Sequence, residues 1–141
     1  MNKQKTEILH DCAYHAQQGH VSKQQDDAYQ YPCTRNIGKS DNITKTYWSN
    51  TNTKGHFGIS KVIFGRFGYG VYVDASGEYG FTQDCFGIVD EPENLEDIKK
   101  AMQSDAFKAI MAACSVGTLG ENYNHRVIAL FRKDFYKDFI D

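Results

Sequence analysis

Apolar residues are sparse over the first 56 positions, where Gln, Asn, Thr, Lys and Tyr prevail, and become dense from Ser60 onward. The polar stretch predicts irregular loops, short strands and one short helix around Thr6 to Gln17. After Ser60 the segment KVIFGRFGYGVYVDASGEYGFTQDCFGIVD places short apolar and aromatic runs between glycines, the pattern of a β meander. Strands are expected at Lys61 to Arg66, Gly70 to Asp74, Tyr79 to Gln83 and Phe86 to Asp90. Asp74-Ala75-Ser76-Gly77-Glu78 has the Asp and Gly chemistry of a tight turn, so the second and third of these strands are expected to pair as a hairpin.

Pro92 closes the sheet-forming region, because proline restricts the residue before it and donates nothing to a ladder. A helix is expected next, capped by Asn94, with Glu96 and Asp97 in its first turn and Leu95, Ile98, Met102 and Ala106 on one face. Ser104-Asp105 suits the start of a second helix carrying Phe107, Ile110, Met111 and Cys114, which Gly117 and Gly120 would end; one continuous helix is the alternative. Arg126 to Phe131 reads as a short strand or buried segment, and Lys133 to Ile140 as a frayed terminal helix. The expected fold class is α+β: an antiparallel meander with polar N-terminal loops and C-terminal helices packed on the sheet. Val62, Phe64, Val71, Val73, Phe81, Ile88, Ile98, Met102, Phe107 and Ile110 are expected to share one core.

A length of 141 residues suits a single domain, 1–141, and 40% hydrophobic with 24% charged residues lies in the globular range. The net charge of -2 argues against a histone-like binder, yet charge is unevenly spread. Up to Gly70 there are nine basic and five acidic residues, and beyond it seven and thirteen, so the halves carry about +4 and about -6. A basic half over about 1–70, able to touch an anionic partner, and an acidic supporting half over about 71–141 are therefore expected. With no long apolar run and no signal-peptide pattern in the first twenty residues, the expectation is an intracellular or cytoplasmic protein with no membrane partner. Cys12, Cys33, Cys85 and Cys114 include no C-x-x-C pair and are read as free thiols, small hydrophobes by default.

Catalytic signatures are weak. Cys12, His15, His20 and Cys33 are metal-ligand types, but their spacings match no zinc module. Gly65-Arg66-Phe67-Gly68-Tyr69-Gly70 has neither phosphate-loop spacing, and reads as a glycine-rich strand connection. Asp74 and Glu78 flank a turn, where acidic residues serve local hydrogen bonding. No catalytic residue, metal site or cofactor is assigned. Lysine and arginine interleaved with Tyr, Trp, His and Asn suit nucleic acid instead, since cations hold phosphates while amides read base edges. The candidate DNA-binding residues are Lys23, Arg35, Lys45, Tyr47, Lys54, His56, Lys61 and Arg66.

The order of segments adds to this. Tyr14-His15, Val21-Ser22-Lys23, Tyr31-Pro32, the polar strand Lys45 to Ser49, Gly55-His56-Phe57-Gly58-Ile59-Ser60-Lys61-Val62-Ile63-Phe64, Asp74 to Gln83, Phe86-Gly87-Ile88 and Phe131 to Tyr136 follow one another. Over about residues 12 to 139 this order resembles the C-terminal target recognition domains of N6-adenine DNA methyltransferases, including restriction enzymes that both cut and methylate. The resemblance implies a non-catalytic module that reads a short sequence in double-stranded DNA for a methyltransferase or nuclease core on a separate or longer chain. The chain lacks the Asn/Asp-Pro-Pro-Tyr/Phe segment with which that family holds a flipped adenine. The rival readings are a small nuclease or hydrolase using His15, His20 or His56 with Asp11 or Asp74, and a protein-interaction domain without nucleic acid.

Overall fold

A computed structural model describes residues 4–114 and 121–140, arranged as α+β. Eight strands come first: β1 (Glu7–Leu9), β2 (Val21–Ser22), β3 (Tyr31–Ile37), β4 (Ile43–Ser49), β5 (Lys61–Gly65), β6 (Val71–Asp74), β7 (Gly80–Phe81) and β8 (Cys85–Val89). A 3-10 turn, Pro92–Asn94, leads into α1 (Leu95–Met102), followed by α2 (Asp105–Cys114), α3 (His125–Ile128) and a 3-10 turn at Phe135–Asp138. The strands form two four-stranded sheets, one ordered β1-β8-β5-β6 and the other β2-β4-β3-β7. The first is antiparallel throughout, whereas in the second β7 runs parallel to β3.

Sheet one is the middle layer. Along β5, Val62 and Phe64 join Val71, Phe86 and Ile88 under Ile98, Met102 and Phe107 of the helices. Ile63 points to the other face, into a smaller cluster with Ile37, Phe81 and Cys85 that welds the two sheets together. Burial on both faces explains why Val62-Ile63-Phe64 is an unbroken apolar run rather than an alternating one. Seven of the ten expected core residues share the large cluster and Val73 packs against it. Phe81 belongs between the sheets, and Ile110 is 37% exposed.

Several sequence expectations are corrected. Residues 6 to 17 hold β1 and a series of turns rather than a helix, since Glu7 to Leu9 complete sheet one against β8. The expected hairpin across Asp74 to Glu78 does not form. β6 pairs with β5, and the chain then crosses to put β7 beside β3. Asn94 ends the 3-10 turn and donates its side-chain amide to Asp90 rather than capping α1. Ser104 does start α2, its Oγ accepting from the Phe107 N–H at 3.2 Å. Arg126 lies in a short helix rather than a strand, because Asn124 accepts from the N–H groups of Arg126 and Val127. Gly117 and Gly120 lie outside the described residues. Cys33 and Cys85 are buried, with thiols pushed up to about 12 by burial, while Cys12 and Cys114 are exposed. Among the described residues no helix is long and apolar enough to cross a membrane.

A candidate nucleic-acid interface

Where the ends of the two sheets meet, a cleft of about 280 Å³ is lined by Arg35, Asn36, Lys45, Gly65, Arg66, Phe67 and Asp84. Three of the eight residues expected to touch DNA therefore converge, although 31 positions separate Arg35 from Arg66. A fault in strand register aims Arg35. In the β3–β4 ladder Thr34 faces Thr46 and Asn36 faces Lys45, which leaves Arg35 as an extra residue in β3. Such bulges turn a side chain out of the alternation. A compensating shift follows, with Ile37 facing Ile43.

Arg35 and Lys45 are both placed over the Tyr47 ring, with the guanidinium carbon 5.5 Å and the Lys45 Nζ 5.9 Å from its centroid. Tyr47 is 5% exposed, so it supports these cations and cannot stack on a base. Arg35 also forms an ion pair with Asp84 at 2.5 Å. Arg66 spreads its guanidinium over Phe86, 5.5 Å from the centroid, and its Nη1 is 3.8 Å from Glu121. His125 stacks on the same Phe86 ring at 4.2 Å, and His10 lies 4.6 Å from it. Burial, then His10, Arg126 and Arg66, push the His125 imidazole down to about 4, so it is neutral at neutral pH.

Two candidates are removed from the interface by burial. Lys61 has no exposed surface, and its Nζ donates to Asp74 Oδ2 at 2.7 Å and to the carbonyls of His56 and Ile59. Asp74 in turn accepts from the N–H groups of Glu78 and Tyr79, so the pair clamps the loop before β5 to the loop after β6. Burial pushes the Lys61 ammonium down and the Asp74 carboxylate opposes it. His56 is equally enclosed, stacked on Phe81 at 4.1 Å. Its Nδ1 accepts from the Phe81 N–H, which assigns the proton to Nε2 and directs it to Asp11 Oδ1 at 2.9 Å. Both ring nitrogens are thus engaged, leaving none to take a proton from a substrate. Burial pushes the His56 imidazole down, against the pull of Asp11. Lys23 and Lys54 are exposed but do not line the cleft.

Asn36, absent from the eight, lines the cleft and is exposed, its Nδ2 donating to Thr44 Oγ1 at 2.6 Å. Phe67 also lines it and is 61% exposed. Its position inside a glycine-rich turn was the available signal. Among the described residues no group of three or more His, Cys, Asp or Glu side chains is placed to hold a metal. Comparison with protein-family models, curated proteins and solved structures finds no match to this chain.

Proposed function

We propose that the chain is a DNA sequence-recognition module of a restriction-modification or methyltransferase system, acting for a catalytic core on a separate or longer chain. The observation that carries this reading is the convergence of Arg35, Lys45 and Arg66 with Asn36 on one cleft. The cations suit phosphate oxygens, and an exposed amide among them suits a base edge. The motif order similar to target recognition domains supports the same reading. Arg35, Lys45 and Arg66 hold the backbone and Asn36 reads.

Fluorescence anisotropy with labelled duplex DNA over a salt series tests it. Each phosphate neutralised by the protein releases condensed counterions, so log K should fall by about 0.9 per log unit of salt for each one. Replacing Arg35, Lys45 and Arg66 together by Ala should weaken binding to every sequence and flatten the slope by about one for each phosphate no longer held. Asn36→Ala should change the preference between sequences and leave the slope alone. Glu93→Gln with Glu96→Gln, at the exposed start of the helical layer, should change neither. Binding without salt dependence, or an unchanged slope in the triple variant, would put the protein-interaction reading ahead.

A further inference from the structure

The turn between β5 and β6 is a crest between two clefts. Gly65, Arg66 and Phe67 line the cleft described above, while Gly68, Tyr69 and Gly70 line a second, of about 430 Å³. Cations face the crest on both flanks: Arg35 and Lys45 on one, Lys39 and Lys108 on the other. Lys108 is held there by the Tyr69 ring, 4.5 Å from its Nζ. Two carboxylates also line these clefts: Asp41, occupied by Lys99, Gln103 and the Val71 N–H, and Asp84, which Arg35 must exchange for a phosphate oxygen to hold a backbone.

Phe67 stands on the crest, 61% exposed and outside every hydrophobic cluster among the described residues. The backbone beneath it is braced on both sides. The Arg66 carbonyl accepts from the Asn122 N–H at 2.7 Å, and the Gly68 N–H donates back to Asn122 Oδ1 at 2.6 Å. The Tyr69 carbonyl accepts from Gln103 Nε2 at 2.9 Å. Gly68 adopts φ 82, which turns the chain at the crest without a side chain in the way. A large apolar ring is therefore carried into solvent on a hydrogen-bonded turn, where collapse onto the protein would remove it from water.

Cations on both flanks of an exposed apolar residue suit the two phosphate backbones that border a minor groove. We propose that Phe67 is an intercalating wedge that enters duplex DNA from the minor groove, unstacking one base step and bending the helix while the flanking cations hold the phosphates of both strands. Apolar side chains inserted in this way kink DNA toward the major groove, and the larger protein surface that the bent duplex wraps offsets the sacrificed stacking. This assignment rests on the DNA-binding reading and adds a deformation to it.

The test uses duplexes of about 30 base pairs rich in TA steps, which unstack most readily, with 2-aminopurine at one step or a fluorophore at each end. Wild-type protein should raise 2-aminopurine fluorescence and shorten the end-to-end distance. Phe67→Ala should lose both effects while keeping the salt slope, and Phe67→Leu, which keeps an apolar wedge, should retain most of both. Because Phe67 takes no part in the core, both variants should keep the wild-type melting temperature. Wild-type binding with neither unstacking nor bending, or the same deformation by Phe67→Ala, would overturn the wedge and leave the DNA-binding reading standing. No binding to duplex DNA at low salt would remove both.

Discussion

Asp41 sits in the β3–β4 turn with a left-handed φ of 62, a conformation that aspartate tolerates better than most residues. Its carboxylate reaches out of sheet two to the Val71 N–H of sheet one at 3.0 Å, to Gln103 at 2.7 Å and to Lys99 at 3.1 Å. Burial pushes this carboxyl up, but the three donors together outweigh it and hold it below its ordinary value of 3.8. A depressed carboxyl stabilises the fold above its unfolded value and ceases to do so as pH falls through its folded one. Asp41→Asn keeps the oxygen that accepts from Val71 and Gln103 and suits the same backbone, while it removes the charge and the oxygen that faces Lys99. Urea midpoints at about pH 7 and about pH 3 should show the variant less stable than wild type at the higher pH and the gap closing at the lower. A gap independent of pH would assign the effect to hydrogen-bond geometry. At this scale the sequence identifies cation types but not their exposure. Lys61 and His56 read as reachable, yet Lys61 opens a strand buried on both faces and both residues face inward. Arg35 does line the cleft, but the bulge that aims it depends on pairing with Lys45 and Thr46, which no local pattern encodes.

Strands and helices were legible where their own side chains decide them, as in β5, β6, β8 and α1. They were misread where a distant partner or a local cap decides. The Asp74 to Glu78 segment has hairpin chemistry, but the Asp74 side chain takes the N–H groups of Glu78 and Tyr79, and the chain departs from sheet one. Gly77 shows how tightly that turn is docked: its φ is 72, and a Cβ there would overlap the backbone of Gly58 and Ile59. Gly77→Ala should destabilise the protein by about 2–4 kcal/mol, combining left-handed strain with overpacking, as read by thermal or urea denaturation. A loss under about 0.5 kcal/mol, the level of an ordinary surface change, would mean that the two loops separate freely. The α3 helix shows the opposite case, since Asn124, a residue type suited to N-caps, starts a helix inside an apolar run whose own pattern suggests a strand or buried segment.

At the scale of the whole molecule, the split at Gly70 describes charge but not architecture. β5, from the basic half, lies between β8 and β6 of the acidic half, and β3 pairs with β7 across the same divide. Arg35–Asp84 and Lys99–Asp41 join the halves electrostatically as well. A fragment of residues 1–70 should therefore not fold: it lacks both neighbours of β5, and its amide resonances should crowd into the range of a disordered chain. Dispersed resonances would show that the polar half carries its own core. The most remote pairing involves the first strand, where Glu7 to Leu9 meet β8 and the Thr6 N–H donates to the Phe131 carbonyl at 2.9 Å. The Lys133 N–H closes the same seam on the Gln4 carbonyl at 2.7 Å. Pairings of such long sequence separation form slowly. During vectorial synthesis β1 must wait for β8 to leave the ribosome tunnel before sheet one can close, and the seam of Gln4 and Thr6 with Phe131 and Lys133 can be drawn shut only once residues 131–133 follow.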